Sequence, residues 1–168
     1  MEKDLFEKFT DFAEQGVNEL IIDLRYNGGG LVSSANHLAS MITGQFTGEL
    51  FSKENWNEKV QKAFNPDTFI NNFKNKIRNV DANGNVILDE DINSLGLTRV
   101  YFIVTRSTAS ASELVINSLS SYIDVNLIGV TTLGKQVGSF TLYDSDNYVR
   151  TGANLNQNHT YALQPIVF

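Results

Sequence analysis

A chain of 168 residues, 42% hydrophobic and 19% charged, can bury one core and has the composition of an ordinary globular protein. Its net charge of −6 argues against a nucleic-acid footprint, which needs a clustered basic face. The absence of cysteine excludes disulfides, thiol nucleophiles and thiolate metal sites, and no run of eighteen apolar residues offers a membrane-spanning helix.

Leu5, Phe6, Phe9, Phe12 and Ala13 recur at helical spacing, with Gly16 placed as a C-cap. Leu20 to Leu24 then forms a short apolar run with too little alternation for one wet face, which predicts a strand covered on both sides. Arg25-Tyr-Asn-Gly-Gly-Gly30 follows, and after it a helix over Ser33 to Ile42. The same order returns with a strand over Val100 to Val104, a small-residue turn and a helix from Ser110. A third strand is expected over Asn126 to Val130. Strands alternating with helices predict an α/β fold with a largely parallel sheet. The expectation is a single domain over residues 1–168.

Residues 44–97 read as an insertion-like region. Asn65-Pro-Asp67 is placed as the cap of a helix carrying Phe69, Ile70, Phe73 and Ile77. Asn79 to Glu90 has two readings. Asp81, Asn83, Gly84, Val86 and Glu90 fall at calcium-loop positions, while Asn83-Gly84 is a hairpin signal. Beyond Lys135 the pattern changes to short strands over Ser139 to Tyr143 and His159 to Val167, with polar loops between. Both ends read as cut from a longer protein, so the lack of a targeting signal carries little information about compartment.

Three stretches carry chemistry. Gly28, Gly29 and Gly30 sit at the carboxyl end of a strand, where ligands of open α/β sheets bind. Neither a GxGxxG pattern nor a GK[ST] loop is present, so a nucleotide-binding reading lacks its motif. Backbone amides there could serve an oxyanion, or the glycines could simply make a tight turn. Ser110-Ala-Ser-Glu113 fits a capping box, yet the same helix N-terminus favours an alkoxide and a tetrahedral oxyanion. Lys135 is the only charged residue between Asn126 and Tyr143. A lysine is a base only when neutral, a form that burial among apolar groups favours; the bland alternative is a lysine snorkelling from a strand end. A histidine base would have to be His37, on the helix after the glycines, or His159, in a polar loop, and no GxSxG elbow accompanies either.

Taken together, Leu20-Ile-Ile-Asp-Leu-Arg-Tyr-Asn-Gly-Gly-Gly30, Ser107-Thr-Ala-Ser-Ala-Ser-Glu113 and Thr132-Leu-Gly-Lys135 resemble, in order, the three motifs of the carboxyl-terminal processing peptidases, or tail-specific proteases. The 25 residues between Ser110 and Lys135 match that family's separation. The resemblance implies a ClpP/crotonase-like spiral of ββα units. It also implies a serine peptidase with Ser110 as nucleophile and Lys135 as general base, and an oxyanion hole from the amides of Gly29, Gly30 and Ala111. Neither cofactor nor metal is implied. The substrate would be a polypeptide whose extended carboxyl terminus enters as a strand, in an extracytoplasmic bacterial setting. Where members often carry an orienting glutamine four residues after the lysine, this chain has Ser139; Gln136 and Ser139 are the candidates for that support. The chain corresponds to a catalytic core without the family's PDZ domain, and a non-catalytic peptide- or ligand-binding module on the same fold is the alternative.

Overall fold

The computed structural model describes residues 2–81 and 84–168. Their order is α1 (Glu2–Glu14), β1 (Ile21–Asp23), α2 (Val32–Thr43), β2 (Leu50–Lys53), α3 (Glu58–Ala63), a 3₁₀ turn (Pro66–Phe69), β3 (Ile70–Asn72), β4 (Lys76–Val80), β5 (Val86–Asp91), β6 (Arg99–Val104), α4 (Ala111–Leu119), β7 (Asp124–Gly129), β8 (Leu142–Tyr143) and β9 (Ala162–Leu163). They fall into two compact units. One comprises residues 1–54 and 66–136, the other 55–65 and 137–168.

The larger unit is α/β around a parallel sheet of order β1-β6-β7. The β6 sequence Arg-Val-Tyr-Phe-Ile-Val is β-branched and aromatic, the composition that suits a pleated surface. Its alternation is complete: Val100, Phe102 and Val104 are buried, while Tyr101 and Ile103 are only half-buried. The buried set meets Ala39, Met41 and Ile42 of α2 and Val115, Ile116 and Leu119 of α4 in one apolar core. Each such side chain, fully buried, stabilises the fold by about 1.5–3 kcal/mol. Asn36 lies within this core on α2; its amide donates to the Asn72 carbonyl at 2.9 Å and its carbonyl accepts from Ser40 Oγ. Those bonds satisfy polar atoms that burial alone would penalise.

Two expectations need correction. β1 is an edge strand, not a strand covered on both sides: Ile21 is 64% exposed. An uninterrupted apolar run of three to five residues does not reveal which faces are covered. Phe69, Ile70, Phe73 and Ile77 do not share a helix. After the 3₁₀ turn the chain enters β3, antiparallel to β2, and then β4, antiparallel to β5. These aromatic and β-branched residues favour strands, and their long-range partners decided between two periods that a short stretch leaves ambiguous.

Of the two readings of Asn79 to Glu90, the described residues favour the hairpin: β4 and β5 pair antiparallel. Glu90 is paired with Ile77 along the strands, and Asp81 is occupied by Asn85 through both carboxylate oxygens. Asn83, assigned to the fifth calcium-loop position, lies outside the described residues. Among the described residues no group of three or more acidic or histidine side chains could hold a metal ion, and no helix is long and apolar enough to cross a membrane.

In the smaller unit, β8 pairs antiparallel with β9, and Ser139 bridges Ile166. These strands are shorter than the alternation predicts. Trp56, Phe140 and Phe168 cluster at centroid distances of 5.0–6.0 Å.

Candidate active site

The carboxyl ends of β1 and β6 lie side by side because the strands are parallel and in register, Ile21 with Tyr101 through Asp23 with Ile103. The glycine turn leaves β1 and the serine turn leaves β6, so the sheet itself delivers both to one place. Thr108, fully buried, locks them together: its hydroxyl donates to the Leu24 carbonyl at 2.6 Å and accepts from Thr105 N–H at 3.0 Å. The Thr105 hydroxyl donates to the Arg25 carbonyl.

Asn27 provides the next layer. Its main-chain carbonyl accepts from Ala109 N–H at 3.2 Å, and its side-chain oxygen accepts from Gly29 N–H and from Ser112 Oγ, both at 3.0 Å. This draws the glycine turn onto the start of α4. The approach is so close that a Cβ on Gly29 would lie 2.7 Å from Ala109 O, Ala111 N and Ser110 Cβ. The φ of +97° at Gly29 also belongs to the region L side chains rarely occupy. Gly29 is thus required for sterics. Its amide, one of the three expected oxyanion donors, is already engaged by Asn27, which leaves Gly30 and Ala111 for that role. Ala111 opens α4, and its N–H precedes any acceptor the helix itself supplies.

Ser110 is the N-cap of α4, with φ 57° and ψ −121°. A non-glycine residue held there carries roughly 1–3 kcal/mol of backbone strain, which persists only where surrounding contacts impose it. Here they are visible: Glu113 accepts from Ser110 N–H at 2.8 Å, and Gly29 packs on the other side. The capping-box glutamate expected from the sequence is therefore in place.

Glu113 does more than cap. The same Oε2 accepts from Lys135 N–H at 2.9 Å, while Oε1 accepts from Gly134 N–H and Thr132 Oγ1, both at 2.6 Å. Burial pushes the Glu113 carboxyl up, but these hydrogen bonds from Thr132, Gly134, Ser110 and Lys135 outweigh it and hold the group below the usual carboxylate range. The carboxylate brings the main chains of Ser110 and Lys135 onto one oxygen atom. Sequence spacing missed this link. The Ser110-x-x-Glu113 pattern signals the cap, but nothing local signals a partner nineteen to twenty-two residues away.

The environment of Lys135 differs from the expectation of burial among apolar groups. Its side chain is exposed, as is neighbouring Leu133 at 62%, because this stretch runs over the surface in no regular element. Gln136 is exposed as well. Ser139, in the smaller unit, is half-buried, and its Oγ accepts from Gln164 Nε2 at 3.3 Å.

His37 is buried on α2. His159, in the smaller unit, accepts from Tyr161 N–H through Nδ1, and its Nε2 meets Asp144 Oδ2, each at 3.2 Å.

Residues 1–161 match the family described as Peptidase family S41. A solved structure described as a candidate S41 protease of Bacteroides fragilis NCTC 9343 is similar over 86% of this chain and 34% of its own, at 31% identity and a TM-score of 0.68. A solved photosystem II D1 C-terminal processing protease is similar over 84% of this chain and 30% of its own, at 24% identity and a TM-score of 0.49. The chain thus spans about a third of the length of these solved proteins. Among curated proteins nothing matches.

Proposed function

The chain belongs to peptidase family S41, and from that membership we propose that it is the core of a serine endopeptidase working through a Ser110–Lys135 dyad. The observation that carries the reading is the left-handed backbone of Ser110 at the head of α4, tied through one Glu113 oxygen to the main chain of Lys135. A strained strand-to-helix turn that presents a serine at the end of a parallel sheet is the arrangement a nucleophile needs. Lys135 takes the Ser110 proton, and the alkoxide attacks the peptide carbonyl. The amides of Gly30 and Ala111 receive the oxyanion, and the positive end of the α4 dipole adds to their effect. The protonated lysine gives that proton to the leaving amine as the C–N bond breaks and, neutral again, deprotonates the water that attacks the acyl-enzyme, returning the proton to Ser110 as the new carboxyl end leaves.

We propose with it a polypeptide substrate whose carboxyl terminus enters extended, and an extracytoplasmic setting. We extend the proposal to the fold, reading β1–α2 and β6–α4–β7 as turns of a ClpP/crotonase-like spiral within one catalytic core. Gln136, in the same unit, is its remaining candidate for support of the lysine.

The test is fluorophosphonate labelling together with cleavage of an unstructured fluorogenic peptide by the wild-type chain and its variants. Ser110→Ala abolishes both, and Lys135→Ala lowers both by roughly 10²–10⁴-fold, the range for loss of a general base. Wild-type rates in either variant overturn the assignment. The exposed Lys135 side chain favours a second reading, a peptide-binding module without catalysis; peptide binding by a wild-type chain that takes no label selects it.

A further inference from the structure

We propose that Glu113 is the positioning residue of the lysine base: its carboxylate fixes the 132–135 loop against the nucleophile turn and so sets where Lys135 stands. The inference rests on the reading of Ser110 and Lys135 as the reacting pair. A carboxylate offers about four acceptor positions, and here four donors fill them: Ser110 N–H, Lys135 N–H, Gly134 N–H and Thr132 Oγ1. A helix cap needs only the first of these. The other three belong to a single four-residue stretch outside any helix or strand.

The loop is built to meet this anion. Gly134 has φ +82°, which turns the chain so that successive amides, those of Gly134 and Lys135, point at the same carboxylate, a nest of the kind that holds anions elsewhere. Leu133 N–H donates to the Thr108 carbonyl at 3.0 Å, so the same four residues are pinned a second time to the serine turn. An exposed lysine on an irregular loop has no side-chain packing to define it. Its main chain is defined by the residue one helical turn beyond the nucleophile, and any displacement of that loop changes the lysine's reach to Ser110.

Glu113→Gln is the informative substitution. It keeps the volume but supplies one carbonyl oxygen, and its NH₂ faces donors. Three readouts on the full chain separate positioning from folding. Backbone amide exchange at Gly134 and Lys135 rises by roughly tenfold or more, the change expected for about 1.4 kcal/mol of lost protection, while circular dichroism stays that of the folded wild type. The fluorophosphonate labelling rate of Ser110 falls at least about tenfold while the Kd of a reversible peptide holds. In the Lys135→Ala background the loss of labelling caused by Glu113→Gln is several-fold smaller, because only its bond to Ser110 N–H then counts.

Unchanged exchange at Gly134 and Lys135, or an equal loss of labelling with and without Lys135, overturns the proposal. Should Glu113→Gln fail to fold, Thr132→Val removes one donor without touching the cap, and unchanged exchange and labelling in that variant overturn it equally. Wild-type labelling in Lys135→Ala would instead overturn the dyad reading, while the exchange data report on the clamp independently.

Discussion

Replacing Gly29 with alanine places a methyl group 2.7 Å from each of three atoms: Ala109 O, Ala111 N and Ser110 Cβ. Two are backbone atoms that cannot rotate away, so the glycine turn and the head of α4 must separate. The conformational part of the cost comes from φ +97° and is roughly 1–3 kcal/mol; overpacking adds about 1–3 kcal/mol. At about 3 °C of Tm per kcal/mol for a chain of this length, the variant melts roughly 6–18 °C below the wild type. Separation also displaces Ala111 N–H from any oxyanion shared with Gly30, and loss of one such donor costs about 10²–10³ in rate.

Gly28→Ala is the matched control. Gly28 has no left-handed φ, and nothing lies within 4 Å of the point its new methyl group would occupy, so that variant stays within about 1 kcal/mol of the wild type. Thermal unfolding and fluorophosphonate labelling of both variants decide the matter. If Gly29→Ala melts and labels like Gly28→Ala, the close approach of the glycine turn to Ser110 is not what holds the site, and the reasoning fails.

Two further outcomes follow from the hydrogen bonds. Asn27→Ala removes the acceptor shared by Gly29 N–H and Ser112 Oγ; loss of those bonds costs about 1–3 kcal/mol, read as a drop in denaturant midpoint, with labelling of Ser110 reduced alongside. In the smaller unit, hydrogen bonds from Asn156 and then His159 hold the Asp144 carboxyl below its ordinary value. A depressed carboxylate contributes stability that is complete above its unfolded pKa and is lost as pH falls through its folded one. The Asn156 side-chain resonance, whose amide donates to Asp144, therefore shifts on acidification below the usual carboxylate range. Asp144→Asn removes that acid transition; its persistence in the variant would assign it to another group.

Much of the candidate site's geometry is local and hence legible in sequence. The capping box puts Ser110 at the head of a helix, α2 and β6 fall within one residue of their expected bounds, and α4 starts one residue after its expected start. The three stretches that resemble the processing-peptidase motifs lie within residues matching family S41. Phe69, Ile70, Phe73 and Ile77 read as helical because their spacing suits a helix, whereas pairing with β2 and β5 makes strands of Ile70–Asn72 and Lys76–Val80.

The chain by itself determined which segments are strands of the parallel sheet, that glycine and serine turns follow two of them, and that a lone lysine comes 25 residues after Ser110. These rest on periodicity, turn chemistry and spacing, all of short range. Tertiary structure alone decided that β1 lies at an edge, that the Gly29 amide is taken by Asn27, that Lys135 is exposed, and that Glu113 gathers Ser110, Thr132, Gly134 and Lys135. Each depends on which groups distant in sequence meet in space, and a carboxylate that reads locally as a cap gives no sign of the loop that folds back onto it.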